Sequence, residues 1–299
     1  MDYADQAAVR QRNGVWLVLS AAVLWGTTGT AQALAPEGAE PASIGTIRLV
    51  IGGLALLAFA IWRGALRRED HWPLIVTLVA ATSMAAYQLL FFTGVARTGV
   101  AVGTIVGIGS SPILTGVIGY AVLKERPGSR WAIATLLAVT GCVILVGAGE
   151  SIQVDAFGIL LTIGAGGAYA MFTVFSKSLL KDKPPEAVMA VTFCLGALIL
   201  FPVFLSVDFS WLTQPRGIAV ALHLGLVTVA VAYSLFAQGL QRVPVATAAT
   251  LTLAEPLTAG FLGVVLLGEQ LSITAAIGVL LIFAGLVLLS ASRKTGPRS

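Results

Sequence analysis

Apolar runs of about twenty residues alternate along the chain with short clusters of charge and proline. Ten such runs can be cut, at 14–35, 41–63, 72–94, 99–121, 130–148, 155–178, 187–206, 216–239, 244–267 and 272–291. A helix rising about 1.5 Å per residue crosses a hydrocarbon core of ~30 Å in about twenty residues, so each run predicts a transmembrane helix. The apolar character is continuous and does not alternate with period two, which excludes a transmembrane barrel. The expectation is an all-α membrane protein of ten spans.

Composition agrees. Of 299 residues, 57% are hydrophobic and 11% charged, whereas a soluble domain carries about 25% charge. The net charge of +4 does not imply a nucleic-acid partner, because surplus cations of a membrane protein collect in its cytoplasmic loops. Cys142 and Cys194 both lie in apolar runs, which supports neither a disulfide framework nor a metal site. Ala33-Leu34-Ala35 after Arg10 and Arg12 has the small-x-small form of a signal-peptidase site, but Pro36 would follow the scissile bond and the run from Gly14 is long for a signal peptide. The first run is therefore read as a retained span. With the N-terminus in the cytoplasm, fifteen of the eighteen Lys and Arg fall on that side; Arg97 and Arg216 fall outside, and Arg48 lies within a span. Both termini are expected in the cytoplasm, with the protein in the inner membrane. Trp16, Trp62, Trp72, Trp131 and Trp211 sit at run ends, where indole rings prefer the interface, and Trp25 falls in mid-run.

The two halves repeat. Gly14, Trp25 and Pro41 recur 144 positions on as Gly158, Tyr169 and Pro185, and Pro112, Glu125, Ala132, Ile133 and Gly141 recur as Pro256, Glu269, Ala276, Ile277 and Gly285. Tyr87 matches Tyr233 after a slip of two residues. Five spans per copy is an odd number, so the second copy enters the membrane from the opposite side. The expected organisation is an N-terminal segment 1–13, a first repeat 14–148, an outer linker 149–154, an inverted second repeat 155–291 and a tail 292–299. Secondary transporters are built on this plan, with cargo near the midplane between halves.

Few side chains within the runs carry chemistry. Trp25 and Tyr169 each lie about eleven residues from a span start, ~16 Å deep at the helical rise, with Tyr87 and Tyr233 as their counterparts on spans 3 and 8. These four aromatics predict a ring around a central chamber, offering π faces to apolar cargo and hydroxyl or indole donors to its polar end; packing between helices is the competing reading. Gln88 and Ser111 are added as hydrogen-bonding candidates, together with Gln238, Thr27, Thr28 and Ser110. Glu255 is the sole carboxylate deep in a span, and such a group must face a cavity or a partner. It is read either as a proton or substrate-amine site, or as a local partner for the helix that Pro256 opens by removing the N–H that would bond the Thr252 carbonyl. Arg48 is either a partner of a carbonyl or of Glu255, or a clamp for a substrate carboxylate. His223 is a titratable candidate with a packing role as the alternative. Pro112 and Pro256 are predicted hinges. No GxxxxGK[ST] loop is present, so no ATP motor is expected. Gly107-Ile108-Gly109-Ser110-Ser111 lacks a nearby base for a serine nucleophile, which argues against an enzyme. The 33 glycines, as in Gly103-x-x-x-Gly107, are a helix-packing signal. No cofactor is implied, and the partners expected are a small-molecule substrate and lipid.

Leu253-Ala254-Glu255-Pro256 through Gly268-Glu269, with Gly285 in the last run, Trp25-Gly26, Arg48 and Glu125 closing the fourth run, resembles the EamA-type ten-helix branch of the drug/metabolite transporter superfamily. The resemblance covers roughly residues 14–291 and is most similar to the YddG-type exporters of aromatic and other neutral amino acids. It implies a basket-shaped cavity lined mainly by spans 1, 3, 4, 6, 8 and 9, and export by alternating access. The alternatives are a drug or other metabolite exporter of the same superfamily, a nucleotide-sugar carrier, which would want a cationic chamber where Arg48 is the single intramembrane cation, and a membrane enzyme acting on lipid-linked substrates, which would need paired carboxylates or a metal cluster.

Overall fold

The computed structural model describes residues 3–66, 71–147, 155–267 and 272–290, and every regular element among them is helical. The predicted linker 149–154, the tail 292–299, and Gly268 and Glu269 lie outside these residues. In chain order the helices are α1 (Tyr3–Ala33), α2 (Pro41–Trp62), α3 (Leu74–Leu123), α4 (Ser129–Gly147), α5 (Ala156–Leu179), α6 (Pro185–Ile199), α7 (Phe201–Phe204), α8 (Pro215–Leu222), α9 (Ala232–Leu240), α10 (Val245–Leu251), α11 (Ala254–Leu267) and α12 (Ile273–Ser290). A short 3-10 turn at Ser210–Thr213 precedes α8, and a π-helix at His223–Val231 joins α8 to α9. Among the described residues, eight helical stretches are long and apolar enough to cross a membrane, and Ser129–Leu145 and Pro185–Ile199 are shorter apolar helices.

Local chemistry sets the boundaries. Pro41, Pro185 and Pro215 stand in the first turns of α2, α6 and α8, where a missing N–H costs nothing. Asp155 caps α5 by accepting from the N–H groups of Phe157 at 2.9 Å and Gly158 at 3.0 Å. The seventh run is shorter than its apolar extent predicts: α6 stops at Ile199 and restarts as α7, because Pro202 cannot continue the ladder.

The predicted break between the third and fourth runs takes an unexpected form. Leu74–Leu123 is helical throughout, yet a Cβ at Gly103 would lie 2.6 Å from Val95 Cγ2 and 3.0 Å from Thr98 Oγ1. Residues eight apart in a straight helix are ~12 Å apart. The chain therefore folds back, giving two arms, Leu74–Val95 and Val106–Leu123, packed against each other and against α5.

Close helix pairs are matched between the halves. A Cβ at Gly14 would lie 2.6 Å from Arg242 Cβ and 3.2 Å from the Gly239 carbonyl; one at Gly158 would lie 2.9 Å from Arg97 Cβ and 3.4 Å from the Gly94 carbonyl. Likewise Gly141 of α4 sits on the Gly278 carbonyl and Gly285 of α12 on the Ala134 carbonyl, each at 2.6 Å. Only a residue without a side chain lets two backbones approach so closely. Away from these seams α12 turns Ile273, Leu280 and Phe283 outward, the pattern of a lipid-facing surface. Trp211 departs from its expected interfacial place: it is buried, and its Nε1 donates to Ser43 Oγ at 3.0 Å.

Candidate functional site

The four matched aromatics do come together. Trp25 meets Tyr169 edge-on with ring centroids 6.4 Å apart, Trp25 lies 4.8 Å from Tyr233, and Tyr87 lies 5.7 Å from Tyr169. Trp25, Tyr169 and Tyr233 are buried and Tyr87 is half-buried. Phe172, Phe193 and Phe236 complete the cluster, with Phe193 and Tyr233 only 4.5 Å apart. Phe172 and Phe236 stand three residues after Tyr169 and Tyr233, on the same helix faces, and that spacing is the signal by which sequence reading could have included them. The rings touch one another, so here they form a packed core in place of the open ring that was expected.

The polar ends of these rings differ in how they are held. Trp25 Nε1 donates to the Thr228 carbonyl in the π-helix at 2.9 Å, tying α1 to the irregular eighth span. π-helical turns are rare and concentrate at functional sites. Two residues along α1, the Thr27 hydroxyl donates to the Leu24 carbonyl at 2.7 Å and lies 2.9 Å from His223 Nε2. A hydroxyl has one proton, so His223 donates from Nε2 to Thr27. The Tyr169 hydroxyl is buried beside Thr173, one turn on, and neither oxygen makes a hydrogen bond of acceptable geometry.

The two prolines differ. Pro112 lies within a continuous helix, and the Ile108 carbonyl that its missing N–H would have bonded accepts from Ser111 Oγ at 3.1 Å. Ser111 thus has a structural task. At the matched position the helix is interrupted: α10 ends at Leu251 and α11 starts at Ala254. The Thr252 carbonyl, expected to be left free by Pro256, accepts the Glu255 N–H at 2.9 Å. The Glu255 side chain is therefore not needed to satisfy it. Glu255 is half-buried, and its backbone is pressed against α1, 2.7 Å from where a Cβ of Gly26 would be.

Arg48 is 9% exposed, and its Nε finds no acceptor. It does not pair with Glu255; the ion pairs among the described residues are Arg63–Glu186, Arg97–Asp155 and Lys177–Glu125. Gln88 does not join the aromatic cluster. It lines a small surface cleft with Gly45, Thr46, Phe92 and Leu200. Glu125, quoted above as a motif residue, ties three elements: it pairs with Lys177 of α5 at 3.0 Å and accepts the Val245 N–H at the start of α10 at 2.8 Å, while Lys177 also donates to the Val243 carbonyl. A carboxylate at a helix start satisfies an otherwise free N–H and opposes the helix dipole.

An all-helical chain with this many apolar spans and a seam of buried aromatics between its halves is a multi-pass membrane protein of the transporter class. The profile of the EamA-like transporter family matches residues 12–147 and again 156–291, and the chain belongs to that family. It is 48% identical over 280 residues to the transporter YwfM of Bacillus subtilis, covering 92% of this chain and 93% of that one. It is 28% identical over 264 residues to the threonine/homoserine exporter RhtA of Escherichia coli K12, covering 86% and 84% of the two chains. One crystal structure superposes with a TM-score of 0.80 over 92% of this chain and 95% of the other at 22% identity, a shared fold.

Proposed function

We propose that the protein is an inner-membrane secondary exporter of small neutral metabolites, chiefly α-amino acids including aromatic ones of the YddG-type range, working by alternating access. The observation that carries this is the contact of Trp25 and Tyr233 at 4.8 Å and of Trp25 and Tyr169 at 6.4 Å, where a helix of the first half meets helices of the second. The likeness to an amino-acid exporter, RhtA, supports the cargo class. Eight long and two shorter apolar helices support ten crossings. The matched pairs Gly14–Gly239 with Gly158–Gly94, and Gly141–Gly278 with Gly285–Ala134, support two inverted five-helix copies at 14–148 and 155–291. The bias of cations supports cytoplasmic termini. In this reading Trp25, Tyr87, Tyr169 and Tyr233 receive the cargo, Arg48, Glu255 and His223 surround it, and Pro112 and Pro256 absorb the bending of their helices as the halves rock.

A second reading within the class is favoured by the packing of the rings. Because they already touch one another, a small hydroxylated amino acid such as threonine fits this state with less displacement than an aromatic one. Competition for uptake of labelled phenylalanine into liposomes, with threonine, methionine and lysine as rivals, decides between the two. Phenylalanine and methionine outcompeting threonine supports the first reading, and the reverse order supports the second.

A further inference from the structure

Two side chains of opposite sign stand inside the membrane-spanning region without partners. Arg48 on α2 is more than nine-tenths buried, with its Nε facing no acceptor. Glu255 in the first turn of α11 is half-buried, and its carboxylate enters neither the ion pairs nor the hydrogen bonds of the described residues. The two groups are more than 4.0 Å apart, beyond ion-pair distance. Gly52, one turn along α2 from Arg48, packs on Val229 of the π-helix whose Thr228 carbonyl holds Trp25 Nε1, and the Glu255 carbonyl lies against Gly26, the residue after Trp25, so both elements converge on Trp25.

Charges held in a low-dielectric interior are unfavourable unless paired. Two opposite charges in one region would ordinarily close on each other and cancel. Here they are held apart on elements belonging to opposite halves of the chain, α2 and α11, which flank the Trp25 end of the aromatic cluster. That arrangement is complementary to a molecule carrying both countercharges on one carbon atom and an uncharged group beside them.

We propose that Arg48 and Glu255 are the two poles of a zwitterion site, the guanidinium receiving the α-carboxylate and the Glu255 carboxylate the α-ammonium of a free amino acid, with its side chain directed onto the aromatic cluster. This rests on the amino-acid reading above and deepens it. The planar guanidinium suits a carboxylate through two parallel N–H donors. The cargo then bridges α2 of the first half and α11 of the second, so that binding itself draws the halves together. The site refuses amines without a carboxylate, acids without an amine, and polyanions, and it places neutral amino acids ahead of lysine, whose second ammonium would be desolvated with no countercharge of its own.

The test is exchange in liposomes of the purified protein, with labelled phenylalanine and labelled threonine run in parallel. Competitors for the first are phenethylamine, which lacks the carboxylate, and 3-phenylpropionate, which lacks the ammonium; for the second they are 1-aminopropan-2-ol and 3-hydroxybutyrate. In the unaltered protein every such analogue is expected to compete at least about tenfold more weakly than the parent amino acid, the loss of one charge-assisted contact. Arg48→Met should erase the preference for phenylalanine over phenethylamine while keeping that over 3-phenylpropionate, and Glu255→Gln should do the opposite. Analogues competing as well as the amino acid in the unaltered protein would overturn the zwitterion site while leaving an amino-acid carrier standing. Exchange of neither amino acid would remove both readings together. Analogues matching the amino acid in the unaltered protein overturn the site even where a variant does not fold, and Arg48→Lys and Glu255→Asp, which keep the charges, should retain both preferences.

Discussion

Trp25 and Tyr169, 144 positions apart and equivalent in the two halves, meet edge to face with ring centroids 6.4 Å apart. They lie on α1 and α5, one helix from each of the two stretches that the family profile matches. If the halves rock as proposed, this contact is where the motion must be felt.

Trp25→Ala and Tyr169→Ala should each weaken phenylalanine more than threonine. An aromatic pair contributes about 0.5–1.5 kcal/mol beyond area burial, a factor of about 2 to 12 in affinity. Inhibition constants of the two amino acids for exchange, measured on each variant, check this. Equal losses for both would mark the rings as packing alone.

Ser111→Ala should lower stability by about 1 kcal/mol, because the Ile108 carbonyl, already without an N–H from Pro112, loses the hydroxyl that bonds it. Apparent KM for the cargo should stay unchanged. Thermal unfolding in detergent and exchange kinetics separate the two effects, and a large rise in KM with unchanged stability would make Ser111 a ligand.

Glu125→Gln should leave Lys177 without its ion-pair partner and weaken the bond to the Val245 N–H. Hydrogen bonds to a charged group contribute about 1.5–3 kcal/mol, so a loss of that order in unfolding free energy is expected, with Lys177→Met less damaging since the cap on α10 survives. Cysteines placed near Val245 should label faster in the Glu125→Gln protein. Unchanged labelling would show that this tie does not restrain the start of α10.

The Asp155 carboxyl is held below the ordinary carboxylate range, first by the Gly158 N–H, then by Arg97 and the Phe157 N–H. A carboxyl whose folded value lies below its unfolded one of about 3.9 contributes fully above that pH and loses its contribution as the pH falls through the lower value. The gap in Tm between the unaltered protein and Asp155→Ala should accordingly be constant near neutrality and shrink below about pH 4. A gap that widens on acidification would contradict the cap.

Much of this architecture is legible without coordinates, for identifiable reasons. Span positions follow from continuous apolar runs, helix starts from Pro41, Pro185 and Pro215, and the meeting of Trp25 with Tyr169 from the repeat. What depends on distant partners is not legible. Trp211 looks like an interfacial anchor until Ser43, 168 positions away, accepts its N–H. Gln88 and Tyr87 are neighbours in the chain, but a helix points them in directions 100° apart, and only Tyr87 reaches the aromatic cluster. The π-helix at His223–Val231 has no local sequence signature, and the break before Ala254 shows the Thr252 carbonyl satisfied in a way that the proline alone did not predict.

Counterflow of labelled neutral amino acids into liposomes loaded with the same unlabelled compound, with no ion gradient imposed, decides whether the protein carries amino acids. A neutral amino-acid exporter cycling between two halves should accumulate label transiently, and unlabelled phenylalanine, methionine or threonine outside should suppress it while lysine does not. No accumulation of any neutral amino acid, with or without a proton gradient, would contradict the account.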